Sequence, residues 1–223
     1  MEPIVDSFHK RLPETQEPLE GQLSQVPLSP RAKQVGRPAQ FGVNSSPVGG
    51  PRFRPAEPGD IQAVHELVKA AYRQGDQAGW TTEAHLVEGE RISIATLERI
   101  LEDPAKRLLV AFLGEELVGC CLLEPEVKAG VGVVAHFGLF AVSPRLQSRG
   151  IGTALLAQAE SVAREQLHAS AIELRVLEPR SELIGYYERR GYLLDGRREP
   201  FKPDPHDRPK VEGLCFVVMH KSL

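Results

Sequence analysis

The chain predicts an α+β domain in which a helix crosses between two parallel strands in the middle of the sheet. Three observations lead there. Two segments of helical apolar period, Ile61–Ala71 and Ile94–Leu101, come first. A hairpin signal follows, two apolar runs joined at Gly114-Glu115. A strand, a helix and a second strand then occupy Gly132–Leu177, enough chain for a crossover between parallel neighbours.

Each element has its own local cause. Arg52-Phe53-Arg54-Pro55-Ala56 reads as a first strand. Asp60 is placed as N-cap of a helix that turns Ile61, Val64, Leu67, Val68 and Ala71 inward and ends at Gly75. A loop through Trp80 and Arg91 leads to a second helix, capped by Ser93, buried through Ile94, Leu97, Ile100 and Leu101, and stopped by Asp103-Pro104. Strands are expected at Arg107–Leu113, Glu116–Leu123 and Gly132–Val142. The helix Gly150–Gln166 and the strand Ala171–Leu177 come next. A short helix, Glu182–Arg190, ends at Gly191, and Tyr192–Asp195 and Leu214–His220 close the sheet.

Residues 1–51 differ in kind. Pro3, Pro13, Pro18, Pro27, Pro30, Pro38, Pro47 and Pro51 punctuate a stretch with scattered single hydrophobes, which cannot bury enough surface to offset its ordering entropy. It is expected to be a disordered tail, with one folded domain over 52–223, a length that buries one substantial core. A net charge of −3 argues against a general binder of nucleic acid or of membrane surfaces. No apolar run is long enough to span a bilayer, and the start shows no basic region followed by an apolar core. Three cysteines, two of them adjacent, make no disulfide framework. Cytoplasm is the expected location.

The chemistry concentrates in Leu139–Leu156. An apolar strand runs into a polar loop and then a glycine-bearing turn that opens a helix, which aims backbone N–H groups and the positive helix end at one point. A pyrophosphate fits such a point. Gly150 and Gly152 let phosphate oxygens approach the main chain, and Arg145 and Arg149 supply charge. A Walker A loop is excluded, because Gly152 is followed by Thr153-Ala154. A dinucleotide fingerprint fails as well: Leu155 stands where a third small residue belongs, and Glu173 falls inside its strand.

The pattern Gln147-x-x-Gly150-x-Gly152 resembles the acyl-CoA pyrophosphate loop of the GNAT superfamily of N-acetyltransferases. Leu183–Tyr192 resembles the superfamily's "Ala-x-x-Phe-Tyr-x-x-x-Gly-Phe" helix and strand. The resemblance implies the GNAT fold, a mixed and mostly antiparallel sheet with a central parallel strand pair and helices on both faces. It also implies acetyl-CoA as co-substrate, with no metal. The cofactor is then expected at Gln147, Ser148, Arg149, Gly150, Ile151, Gly152 and Thr153, with backbone groups of Phe140 and Val142 pairing with the pantetheine arm. Tyr187 matches the tyrosine that commonly protonates the departing thiolate; the alternative is a packing aromatic. His136 occupies the place where several members carry a carboxylate base, and an imidazole can do the same work; the alternative is a structural histidine. Arg180 stands where many members carry an asparagine, a departure that puts one cofactor contact in doubt unless the arginine serves a phosphate.

In the family the connection between the first two helices overhangs the acceptor, which nominates Trp80, Glu83 and His85 as substrate contacts; the alternative is a surface loop anchored by a buried tryptophan. The late loop Arg197–Glu212 is a second candidate wall. Cys120, Cys121 and Cys215 read as small packing residues and not as thioester carriers. The expected function is acetyl transfer to a small-molecule or protein amine by direct attack in a ternary complex, with no nucleic-acid or membrane partner and a homodimer as one open assembly. The alternatives are a catalytically silent acyl-CoA-binding module and an acetylase of protein N-termini or lysines.

Overall fold

Apolar period decides which segments become strands and which become helices in the computed structural model, which describes residues 50–73, 82–203 and 207–223. The chain divides into two units, Met1–Ser45 and Ser46–Leu223, and every described residue belongs to the second. All but the last two residues of the expected tail lie outside the described residues, as do Gly75 and Trp80.

The strands in chain order are β1 (Arg52–Pro55), β2 (Val87–Gly89), β3 (Arg107–Leu113), β4 (Glu116–Lys128), β5 (Gly132–Val142), β6 (Ala171–Leu177), β7 (Leu193–Pro200), β8 (Asp207–Pro209) and β9 (Cys215–Ser222). The helices are α1 (Ile61–Arg73), α2 (Ile94–Glu102), α3 (Ile151–Glu165) and α4 (Ser181–Glu188). Seven strands form one sheet in the order β1-β3-β4-β5-β6-β9-β7, and β2 and β8 pair apart from it. Only β5 and β6 run parallel within the large sheet, joined by α3 as expected. The fold is the mixed, mostly antiparallel sheet anticipated above.

Helices cover both faces. Val64, Val68, Ala71, Leu97 and Ile100 of α1 and α2 pack on Val110, Cys120, Leu122, Leu139 and Ala141. On the other side Ile151, Leu155, Ala159 and Val162 of α3, with Tyr187 of α4, pack on Cys121, Leu123, Phe137, Phe140, Ile172 and Val176. Cys120 and Cys121 thus enter opposite cores, as strand alternation requires. Leu155 is fully buried, so its truncation to alanine is expected to cost about 2–5 kcal/mol.

Three departures from the sequence reading have physical reasons. β4 runs on through Pro125 to Lys128, whereas its pairing with β3 ends at Arg107↔Leu123. Beyond Leu123 it is an edge bonded to β5 alone, where proline is tolerated. β7 does not stop at Asp195: Gly196, with φ +84°, sits in a bulge between Leu194↔Met219 and Arg198↔Val217, and the strand resumes. Part of the late loop is therefore strand, and Asp207–Pro209 pairs with Val87–Gly89, a contact too distant in sequence for local pattern to reveal. Asp60 is the last residue of a short 3-10 turn, Pro58–Asp60, ahead of α1. Its carboxylate accepts from the Glu57 amide (2.7 Å) and from Arg54 (2.6 Å), joining the turn to β1.

One irregularity positions the site. Between Cys120↔Ala141 and Leu122↔Gly138, β5 carries one residue more than β4. Leu139 takes φ +47° there, a left-handed conformation that costs a leucine about 1–3 kcal/mol. The bulge inverts the alternation, so Phe140 and Val142 join Ala135 and Phe137 on the α3 side while Leu139 and Ala141 face α1.

Candidate active site

Where β5 and β6 part, the sheet opens. Their pairing runs from Val134↔Ala171 to Phe137↔Leu174, yet β5 continues to Val142 and β6 to Leu177. The Ser143 amide donates to the Val118 carbonyl (2.9 Å). By antiparallel alternation Ala141 is the next residue bonded to β4, and Phe140 and Val142 turn their amide groups toward the opening. Two side chains reach the carbonyls there: the Tyr72 hydroxyl donates to Phe140 O (2.9 Å), and Gln147 Nε2 donates to Val142 O (3.1 Å).

Beside this opening lies a cavity of about 350 Å³. Its floor is the start of α3. The Ala154 amide is bonded to Gly150 O (3.0 Å), so the amides of Ile151, Gly152 and Thr153 belong to the first turn, which has no intrahelical acceptors. Ser148 (φ +64°) and Gly150 (φ +81°) turn the preceding loop sharply, the kind of backbone that gathers N–H groups around an anion. At Gly152 a Cβ would meet Phe140 Cζ at 3.4 Å, Tyr186 Oη at 3.5 Å and Val142 Cγ2 at 3.6 Å, so any larger side chain would crowd the cavity lining.

α4 and the turn after it add Leu183, Tyr186, Arg189 and Arg190 to the lining. Arg190 donates to Thr153 Oγ1 (2.7 Å) and to Tyr186 O (2.8 Å), and its guanidinium lies 3.5 Å from the Tyr186 ring centre. Burial, the largest influence on the Tyr186 hydroxyl, raises its pKa, while Thr153 and Arg190 act the other way.

The structure gathers many of the nominated cofactor residues: Phe140, Val142, Gln147, Ser148, Gly150, Gly152 and Thr153 line the cavity. Arg149 is exposed in the loop, and the Ile151 side chain is buried in the core, leaving its amide at the helix start. Arg180 is elsewhere. It is buried at the N-cap of α4, its Nε bonded to Glu182, and its charge bears on Tyr72. Leu183, Tyr186, Arg189 and Arg190 were not nominated. They flank Tyr187 in the same motif, but only the packing of α4 on α3 turns them to the cavity.

Tyr187 is buried, edge-on to Tyr186 (5.2 Å between centroids) and near Tyr192 (5.5 Å). Its neighbour Tyr186, and not Tyr187, stands in the cavity wall. Burial pushes its hydroxyl well above the usual tyrosine pKa, so the phenol holds its proton at neutral pH.

His136 lies on the α1 side of β5 and is nearly buried. Its Nε2 is 2.6 Å from Glu126, and its Nδ1 is 3.3 Å from an Arg175 nitrogen and 3.4 Å from Glu173 Oε1. Arg175 favours the tautomer that leaves Nδ1 an acceptor, and Glu173 favours the other. The hydrogen bond from His136 is the largest cause holding the Glu126 carboxyl below its ordinary range. Glu173 is held low although burial, the largest influence, opposes it: Arg197 and Lys128 (3.0 Å) donate to it.

Of the nominated substrate contacts, Glu83 is drawn into a clamp. Arg73, the last residue of α1, bonds Glu83 (3.2 Å), Asp207 (3.0 Å) and the Gly89 carbonyl (3.2 Å), tying the loop after α1 to β2 and β8. His85 is exposed, and its charge bears on Glu182. Trp80 lies outside the described residues. Among the described residues no group of three or more His, Cys, Asp or Glu is placed to hold a metal ion, and no helix is long and apolar enough to cross a membrane.

The chain is similar to several known proteins. The chain is 27% identical over 99 residues to the L-amino acid N-acetyltransferase AaaT of Escherichia coli K12, a match covering 44% of this chain and 60% of that protein. Among solved structures, the ribosomal-protein-alanine N-acetyltransferase of Brucella melitensis superposes with a TM-score of 0.58 at 19% identity, covering 77% of this chain and 99% of that one. A spermidine N-acetyltransferase SpeG chimera of Vibrio cholerae and hSSAT gives 0.57 at 20% identity, covering 78% and 95%. At these identities the structures show a common fold. Residues 61–192 match the acetyltransferase (GNAT) family, and the chain belongs to that family.

Proposed function

We propose that the protein transfers the acetyl group of acetyl-CoA to an amine by direct attack in a ternary complex. The observation that carries this reading is the joining of two features in one cleft. The first turn of α3, rich in backbone donors, meets the opening between β5 and β6 where Phe140 and Val142 turn their amides outward. The first suits a pyrophosphate; the second suits an extended amide-bearing arm that adds to a strand edge.

In this reading the neutral amine attacks the thioester carbonyl, the C–N bond forms and the C–S bond breaks. Tyr187, which keeps its proton, donates to the departing thiolate. The ammonium proton passes, directly or through water, to His136, oriented by Glu126. Such a step needs Arg175 to give up its contact with Nδ1, since a base must offer a lone pair; catalytic contacts commonly tighten only with substrate present. Positioning of the two substrates supplies much of the rate. The relatives named above act, by name, on an amino acid, spermidine and a ribosomal-protein alanine, and all of these offer amines.

The test is calorimetric titration with CoA, followed by a panel of amino acids, polyamines and peptide N-termini assayed by thiol release. Binding with turnover of at least one amine class supports the enzyme. Binding with no turnover of any amine supports a silent acyl-CoA-binding module, and no binding removes the reading altogether.

A further inference from the structure

Resting on acetyl-CoA as the donor, we propose that Arg189 and Arg190 form a second anion subsite that reads the ribose 3′-phosphate, so that the protein selects CoA over dephospho-CoA and over pantetheine thioesters. The cavity has two cationic features, which meet where Arg190 donates to Thr153 Oγ1 (2.7 Å). One is the first turn of α3, supplied by backbone amides and the helix dipole. The other is the pair of guanidiniums at the end of α4. A single pyrophosphate accounts for the first. Two further guanidiniums in the same cavity suit a further anionic group on the same ligand, and the 3′-phosphate is the remaining one on CoA.

The arginines are suited to it. Among the described residues neither Arg189 nor Arg190 makes an ion pair, whereas Arg54, Arg73, Arg175, Arg180 and Arg197 all do. Arg190 is held by Thr153, the Tyr186 carbonyl and the Tyr186 ring. Its Nε is buried without an acceptor. A guanidinium fixed in this way loses little freedom on binding an oxyanion, and its fork matches phosphate geometry. Arg189 is exposed, and its Nη1 lies 3.3 Å from where a Cβ on Gly185 would stand, so it folds back along α4 beside the cavity.

The experiment compares CoA, dephospho-CoA and pantetheine by calorimetry on the full chain, for the wild type, Arg189→Gln and Arg190→Met. Arg189→Gln disturbs no internal bond, and thermal melting checks that Arg190→Met folds. The wild type is expected to bind CoA roughly 10- to 100-fold more tightly than dephospho-CoA, the range for charge-assisted hydrogen bonds to one phosphate. Each substitution should narrow that ratio while leaving dephospho-CoA affinity nearly unchanged. Equal binding of CoA and dephospho-CoA by the wild type overturns the subsite and leaves the acetyl-CoA reading standing. Equal loss of both ligands in the variants also overturns it, because the arginines would then serve the pyrophosphate. Failure of the wild type to bind any of the three removes the donor assignment itself.

Discussion

The Tyr72 hydroxyl donates to the Phe140 carbonyl across 2.9 Å, fastening the last turn of α1 to β5 immediately after its bulge. The contact spans 68 residues of sequence. It takes up a carbonyl that β6 has left behind, and so helps hold open the edge on which the proposed donor arm would lie. The hydroxyl is buried, and desolvation raises its pKa far above the usual tyrosine value, so it remains a donor throughout the working pH range.

The two loop glycines should respond differently to substitution. Gly150 needs its positive φ and has open space around its Cα, so Gly150→Ala strains the turn by about 1 kcal/mol. Gly152 has no such φ, and its missing side chain is part of the cavity. Gly152→Ala, whose Cβ makes only ordinary contacts there, should leave the melting temperature nearly unchanged and weaken CoA binding several-fold or more by narrowing the anion site. Calorimetry beside a melting curve separates the two effects.

Tyr187→Phe removes one proton donor and little volume. Turnover should fall on the order of 10²–10⁴-fold with CoA affinity nearly kept. Wild-type turnover in the variant would return Tyr187 to a packing role.

The proposed base makes its own prediction. With one acceptor amine used throughout, His136→Ala should lower turnover on the order of 10²-fold or more with CoA affinity nearly kept. Glu126→Gln removes the carboxylate that orients the imidazole and should lower turnover as well. Turnover indifferent to both substitutions would return His136 to a structural role.

Glu173 predicts an acid limb in stability. Its carboxyl is held below the ordinary glutamate range in the folded chain: burial, the largest influence, raises it, but Arg197 and Lys128 outweigh that. The contribution is therefore present above the unfolded carboxylate range and is lost as pH falls through the lowered folded value. Glu173→Gln should cost about 1–2 kcal/mol at neutral pH, since Arg197 is half exposed, and flatten stability in the acid range. Urea melts across that range measure both.

Thiol chemistry offers a simple check on the packing. Burial raises Cys120 to about 12 and Cys121 well above its ordinary value, whereas Cys215 is partly exposed. Alkylation of the native protein at mildly alkaline pH should label Cys215 alone, with the adjacent pair reacting only after denaturation. Peptide mass mapping reads the result, and rapid labelling of Cys120 would reopen a thioester route.

Read alone, the sequence determined what local chemistry controls. Strands β3, β5 and β6 matched the bounds expected from their apolar runs, Ser93 capped α2 through the Thr96 amide, and the glycines from Gln147 to Thr153 lie, as expected, in a turn that opens a helix. Each depends on neighbours a few residues away, where backbone preference and apolar period are strong. Tertiary structure decided whatever needed partners from distant segments. Leu139 is an ordinary strand residue until β4 and α1 force the extra residue of β5 into a bulge. Glu83 looks like an exposed handle until Arg73 joins it to Asp207, 134 residues from Arg73 along the chain. Arg190 is one more surface charge until α4 packs on α3 and brings it to Thr153, 37 residues away. Those placements follow from burial and loop closure over the whole sheet, which no short window of sequence contains.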